Sequence, residues 1–206
     1  MITLVQRQVE FFAEKAGKYQ RKISPNLIFF KEILMHPREV GACCPSSAKL
    51  ATAMATAVDC EQSGFVVELG GGTGIITKAL LEQGVAPDRL ITVERSPTLA
   101  ALLRKQFPQI RVIEGDASVL DSLLPADVDK ISAVVSGLPF RSLPKPVVSA
   151  IKQQIKQLLV KDGVFVQFSY NLAVTSIDED EQLKPKHKQL IWANLPPARV
   201  DVFRRT

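Results

Sequence analysis

Ile2, Val5, Val9, Phe12, Ala16, Tyr19 and Ile23 recur at steps of three and four residues, which predicts one helix face across residues 1–24. Ser24-Pro25 interrupts that spacing, because the residue before a proline disfavours helical angles, and a second apolar-periodic stretch, LIFFKEILM, runs to His36-Pro37. Pro45-Ser46-Ser47 reads as the cap of a third helix over 48–58, where a serine oxygen can accept orphan backbone N–H groups. From Phe65 the pattern changes to short apolar runs separated by helical stretches: FVVEL, IITKALLEQ, LITVE, PTLAALLRKQF and IRVIEG. That alternation predicts a βαβαβ half of an open parallel sheet. ISAVVSGL follows as a fourth strand, PVVSAIKQQIKQLLV as a helix ended by Lys161-Asp162-Gly163, and VFVQFSY as a fifth strand. In HKQLIWANLPPARVDVFRR two strands are joined by Asn194-Leu195-Pro196-Pro197, too short a connection for a crossover helix, so this pair is expected to be antiparallel.

Composition narrows the class. With 206 residues, 46% apolar and 23% charged, the chain is expected to be one globular domain with a packed core, not a disordered or fibrous chain. No run approaches the roughly 18 apolar residues of a membrane span, and MITLVQRQVEFF has no apolar run of signal-peptide length, so we expect a cytoplasmic protein. Cys43, Cys44 and Cys60 have neither a disulfide framework nor zinc-site spacing and read as reduced thiols. His36 and His187 lack companion ligands, so no metal is expected. The net charge of +5 is unevenly spread. In residues 1–24 Arg7, Lys15, Lys18, Arg21 and Lys22 face only Glu10 and Glu14, and residues 151–206 hold nine basic side chains against six acidic ones.

The chemistry is concentrated in Glu68-Leu69-Gly70-Gly71-Gly72-Thr73-Gly74, which follows a buried strand and opens a helix. Glycines let the backbone turn and approach a ligand there, and the helix N-terminus offers N–H groups and positive dipole. A dinucleotide fingerprint needs a third glycine at the sixth position, where Ile75 stands. Glu94 ends the second strand 20 residues past Gly74, a place from which an acid can accept ribose hydroxyls, and Asp116 follows the third strand. Each acid alone also reads as a helix N-cap. Together with Glu68 they put three carboxylates on consecutive strand ends, at the edge where open α/β sheets bind ligands.

The glycine segment resembles the E/D-x-G-x-G-x-G motif of class I S-adenosylmethionine-dependent methyltransferases at Glu68, Gly70, Gly72 and Gly74. That resemblance implies a Rossmann-like α/β sheet of seven strands, the last antiparallel, with helices on both faces and here an N-terminal helical extension. It also implies S-adenosylmethionine as cofactor, held by Glu68, Gly70, Gly71, Gly72, Thr73, Gly74, Glu94, Arg95, Asp116, Ala117 and Ser136. The counterpart of Asp116 in that family accepts from the adenine amino group.

Three acceptor classes compete: an RNA adenine, the amine of a phospholipid head group, and a soluble small-molecule amine. Ser136-Gly137-Leu138-Pro139-Phe140 resembles the N-L-P-Y motif of ribosomal RNA adenine dimethylases, but Gly137 replaces the asparagine whose amide holds the adenine amine. Those dimethylases also carry a helical domain after the sheet, which is not expected here. Across its length the chain instead resembles bacterial phospholipid N-methyltransferases, which convert phosphatidylethanolamine stepwise toward phosphatidylcholine. The matching stretches are Arg38-Glu39-Val40-Gly41-Ala42 with Pro45-Ser46-Ser47, VELGGGTG, SGLPF, and WANLPPARV from Trp192 to Val200. This implies a phospholipid substrate and peripheral association with the inner face of an anionic membrane, and no nucleic-acid partner. Residues 1–47 are then expected to cover the substrate at the membrane surface, and 48–206 to form the cofactor-binding domain. A cationic amphipathic helix with Phe11, Phe12 and Tyr19 suits such a surface, although those rings could equally pack on the domain. For catalysis we expect Phe140 as a cation–π wall, and Tyr170 and Tyr19 as further aromatics or proton relays. Asp178-Glu179-Asp180-Glu181 reads as a solvated loop beside the ligand edge.

Overall fold

A computed structural model of the chain describes residues 45–172, 182–194 and 197–206. The two helices predicted before residue 38, Tyr19, His36, Cys43, Cys44 and the 178–181 acidic loop lie outside the described residues. Helix α1 spans Pro45–Ala55 and takes in Pro45, Ser46 and Ser47, which the sequence reading set aside as a cap. The fixed φ of proline suits a helix's first turn, where its missing N–H costs nothing.

Thereafter come β1 (Phe65–Leu69), α2 (Ile75–Gln83), β2 (Leu90–Glu94), α3 (Pro97–Gln106), β3 (Arg111–Glu114), a four-residue α4 (Leu120–Leu123), β4 (Ile131–Ser136), α5 (Lys145–Leu158), β5 (Leu159–Ser169), β6 (Leu183–Ile191) and β7 (Ala198–Arg205). The ends of the helices follow local chemistry. Ser96 caps α3 by accepting from Leu99 N, Pro97 takes its first position, and Arg104 and Lys105 stand at its negative C-terminal end. In α2 the left-handed Gly84 ends the helix by donating back to Leu80 and Leu81 carbonyls.

All seven strands form one sheet in the order β3-β2-β1-β4-β5-β7-β6. β1 to β5 run parallel, and β7 lies antiparallel to both β5 and β6, as the short Asn194–Pro197 connection implied. β1, β2 and β4 are buried on both faces because helices cover both, whereas β3 at one edge is half exposed. One core layer packs α1 and α2 on the sheet through Leu50, Met54, Leu80, Val66 and Val135. The other packs α5 through Ile151 and Ile155 against Val67, Val134, Phe165 and Phe203. Phe165 and Phe203 stack at 5.9 Å across β5 and β7, an aromatic pair worth about 1 kcal/mol beyond its buried area. At the start of β7, Arg199 grips Asp201 with two bonds, Nε–Oδ1 2.6 Å and Nη2–Oδ2 2.9 Å, and donates Nη1 to the Leu172 carbonyl. This buried fork ties the end of β5 to β7.

Lys161-Asp162-Gly163 does not end a helix. Helix α5 stops at Leu158 and β5 begins at once, with Leu159 paired to Ile131 and Val164 to Ala133, so the intervening residues form a bulge in the strand. Asp162 carries the bend at φ 64°, a left-handed angle that aspartate tolerates better than most side chains. Likewise β6 starts at Leu183, four residues before the predicted HKQLIW run. No described helix is long and apolar enough to cross a membrane.

Candidate active site

The strand order reverses between β1 and β4, so the loops after these strands flank the crevice at the sheet's carboxyl edge. Backbone bonds stitch those loops together. Gly70 N donates to Val93 O at 2.8 Å, Gly115 N to Glu94 O at 3.1 Å, and Gly137 N to Leu69 O at 2.8 Å. Gly70, Gly72 and Gly74 all take positive φ, and Gly74 opens α2, whose N-terminus therefore points its N–H groups at the crevice. Gly71 is a matter of space: a Cβ there would lie 2.3 Å from Thr92 Cγ2 and 2.8 Å from Leu103 Cδ1. Thr73 is half-buried in the same loop.

Three acids reach this edge in three different ways. Glu68 is fully buried beneath the glycine loop, where its Oε2 accepts from Thr77 Oγ1 at 2.5 Å and Thr92 Oγ1 at 2.8 Å. Its Oε1 is buried with no partner, and burial pushes the carboxyl up to about 7 against the two threonine bonds that pull it down. Glu94 is the clamp of the site. Its Oε2 accepts from Gly72 N at 2.9 Å and its Oε1 from Ser96 N at 2.7 Å, so one side chain at the end of β2 holds both the glycine loop and the entry to α3. Asp116 caps the short 3-10 turn Ala117–Val119 by accepting from Ser118 N at 2.9 Å, and Arg95 stands 3.6 Å from its other oxygen. The Ser118 bonds, helped by the Arg95 charge, hold the Asp116 carboxyl below the usual aspartate value. Ala117 is buried under that turn, and Val119 exposes an apolar side chain beside it.

On the other side of the crevice, buried Ser136 ends β4 and its Oγ accepts from Leu138 N at 3.3 Å. Gly137 has no room for a side chain, because a Cβ there would lie 2.8 Å from the Gly70 carbonyl oxygen. Gly137→Ala is therefore expected to strain both loops at once, lowering the melting temperature by about 5 °C and weakening cofactor binding together. A variant that melts and binds like the parent would show that the two loops separate freely.

Phe140 does not stand open to a ligand. Its ring is 6% exposed and packs 6.2 Å from Phe165 within the core under α5, so the Leu138-Pro139 turn sends it inward and the expected cation–π wall is not formed by it. Tyr170 does sit at the ligand edge, just past β5, 37% exposed and edge-on to Phe168 at 5.4 Å. The sequence reading missed Gln167. It is fully buried on β5, and its Nε2 donates to the carbonyls of Leu138 and Phe168, each at 2.9 Å, which pins the loop after β4 from behind. A lone glutamine inside VFVQFS was the available signal, as were Thr77 and Thr92 around Glu68. Among the described residues no three His, Cys, Asp or Glu side chains gather in a metal-holding group.

A family model described as a methyltransferase domain matches residues 66–163. Over 147 residues the chain is 35% identical to the ornithine lipid N-methyltransferase of Singulisphaera acidiphila, an alignment covering 69% of this chain and 76% of that protein. It is 34% identical over 162 residues to a probable ribosomal RNA small subunit methyltransferase A of Natronomonas pharaonis, covering 72% of this chain and 56% of the other. Among solved structures, the N-methyltransferase NodS of Bradyrhizobium japonicum, in complex with S-adenosyl-L-homocysteine, superposes with a TM-score of 0.62 at 14% identity, covering 78% of this chain and 88% of that one. At that identity the likeness speaks for the fold.

Proposed function

Because the chain belongs to the class I S-adenosylmethionine-dependent methyltransferases, we propose that it methylates the amine of a lipid head group at a membrane surface. Its cofactor, S-adenosylmethionine, supplies an electrophilic methyl group on a sulfonium, so the protein needs no strong nucleophile of its own. The residues at the carboxyl edge suit that molecule. A buried carboxylate is costly, and although Glu68 lies beneath the glycine loop and out of contact, an ammonium such as the cofactor's amino-acid end carries would favour its charged form through the field between them. Glu94 keeps lone pairs on both oxygens after accepting one backbone N–H on each, enough for two ribose hydroxyls. Asp116 and the exposed Val119 offer an acceptor and an apolar face to an adenine ring and its amine. Gly70 to Gly74, Arg95, Ala117 and Ser136 shape or border this pocket.

What remains is alignment. An amine attacks only as the free base, so its proton must leave, its lone pair must face the methyl group, and water must be kept out. We assign the Tyr170 hydroxyl, at the solvent-exposed end of β5, to relay that proton. Residues 1–47, with Tyr19, are proposed as the cover over the acceptor.

The observation that carries the lipid reading over the RNA reading is Gly137. The loop after β4 has no amide at this position and no space for one against the Gly70 carbonyl, so an exocyclic adenine amine lacks its hydrogen-bond acceptor there. The 35% identical relative, named for transfer to ornithine lipid, supports an aminolipid acceptor, and we place phosphatidylethanolamine and its mono- and dimethylated forms in that role. Incubation with labelled S-adenosylmethionine, vesicles containing phosphatidylethanolamine, and ribosomal RNA is expected to move label into the lipid fraction. Label in the RNA alone would overturn the reading.

A further inference from the structure

β6, last in the strand order, exposes every residue from Lys184 to Leu190. Residues 182–206 carry Lys184, Lys186, Lys188, Arg199, Arg204 and Arg205 against the single acid Asp201, so this hairpin holds as much net positive charge as the whole chain. Lysines on an edge strand also guard it against pairing with other sheets, and alone they point to no partner.

Trp192 is different. It is 69% exposed in the turn after β6, with Leu190 44% exposed just before it. Ile191 pairs with Ala198 and Arg199 with Ser169, so this turn lies at the same edge as Tyr170 and the cofactor crevice. An indole has an apolar body and a polar N–H, the combination that settles at the level of lipid head groups, and lysines beside it complement anionic lipid.

We propose that the β6–β7 hairpin is the face on which the protein rests on an anionic bilayer, with Trp192 seated among the head groups and Lys184, Lys186 and Lys188 over lipid phosphates. The proposal rests on the lipid-acceptor reading and names the surface that brings the crevice to its substrate. Nucleic acid is the competing occupant of a basic face with an exposed ring.

Trp192 is the chain's single tryptophan, so its emission reports on this surface directly. With the full chain, vesicles of phosphatidylglycerol and phosphatidylethanolamine are expected to shift the emission to the blue, and brominated lipids to quench it. Phosphatidylcholine vesicles are expected to do neither. Trp192→Ser, and separately Lys184→Gln with Lys186→Gln and Lys188→Gln, are expected to lower vesicle sedimentation and methyl transfer to vesicle lipid by about tenfold or more. Both variants are expected to keep transfer to a detergent-dispersed short-chain aminolipid. An unshifted emission with vesicle transfer unchanged in the variants would overturn the surface while leaving the lipid reading intact. Absence of transfer to any lipid would instead remove the lipid reading. A shift produced by RNA and not by vesicles would assign the face to nucleic acid and overturn the proposal.

Discussion

Glu94→Ala is expected to weaken S-adenosylmethionine binding by more than tenfold in titration calorimetry. Two losses add. The variant removes the oxygens assigned to the ribose, and it also strips the backbone N–H groups of Gly72 and Ser96 of their acceptors. Hydrogen bonds to a charged group contribute about 1.5–3 kcal/mol each, and tenfold in affinity is about 1.4 kcal/mol, so even part of one lost bond reaches the threshold. Glu94→Gln separates the two roles, because its amide nitrogen faces one of the two N–H groups and leaves that end of the clamp open. It is expected to fall between the parent and the alanine variant. Unchanged affinity in a folded Glu94→Ala protein, checked by circular dichroism, would remove Glu94 from the cofactor site.

Glu68→Gln is expected to abolish a pH dependence of stability in the unliganded protein. Burial raises the folded carboxyl from 4.5 to about 7, so between these values the folded state holds a proton that the unfolded chain has released. Stability therefore falls as pH rises from about 4.5 to about 7, by up to about 3 kcal/mol, and changes no further above that range. Asp116 acts in the opposite sense and in a different window: its lowered carboxyl stabilises the fold above the ordinary aspartate value, and that contribution is lost as pH falls below it. Urea titrations of parent and Glu68→Gln at pH 5 and pH 7.5 isolate the Glu68 effect in their difference. Equal slopes with pH would show that Glu68 is charged throughout. Cofactor affinity is expected to rise over the same interval in the parent only, since a carboxylate suits an ammonium and a carboxylic acid does not.

Much of the site was legible because its determinants are local. FVVEL followed by four glycines in five positions predicts a buried strand turning sharply into a helix, and the count to Ile75 excludes a dinucleotide fingerprint. Carboxylates at the ends of β1, β2 and β3 follow from strand boundaries alone. Direction of a side chain after a strand is another matter. Phe140 stood in the position of a stacking aromatic, yet the turn at Leu138-Pro139 delivers it to Phe165, a partner 25 residues away that no local pattern announces. Gln167 escaped notice for the same reason, since its value lies in a carbonyl on a neighbouring strand's loop. Lys161-Asp162-Gly163 looked like a helix stop because a bulge and a cap use the same residue types, and only the pairing of Leu159 with Ile131 decides between them.

The hairpin register also acts as a ruler. Arg199 stands opposite Ser169, Ala198 one step beyond it, and Trp192 follows the Ile191–Ala198 pair, so by register the turn begins about two strand positions, about 7 Å, past the end of β5. The Arg199–Asp201 fork and its bond to the Leu172 carbonyl tie β7, and with it the Ile191–Ala198 pair, to the end of β5. If the indole sits at head-group depth with β6 laid along the surface, the carboxyl edge of the sheet is anchored beside the head groups, and the lipid amine has only a short path to the methyl group.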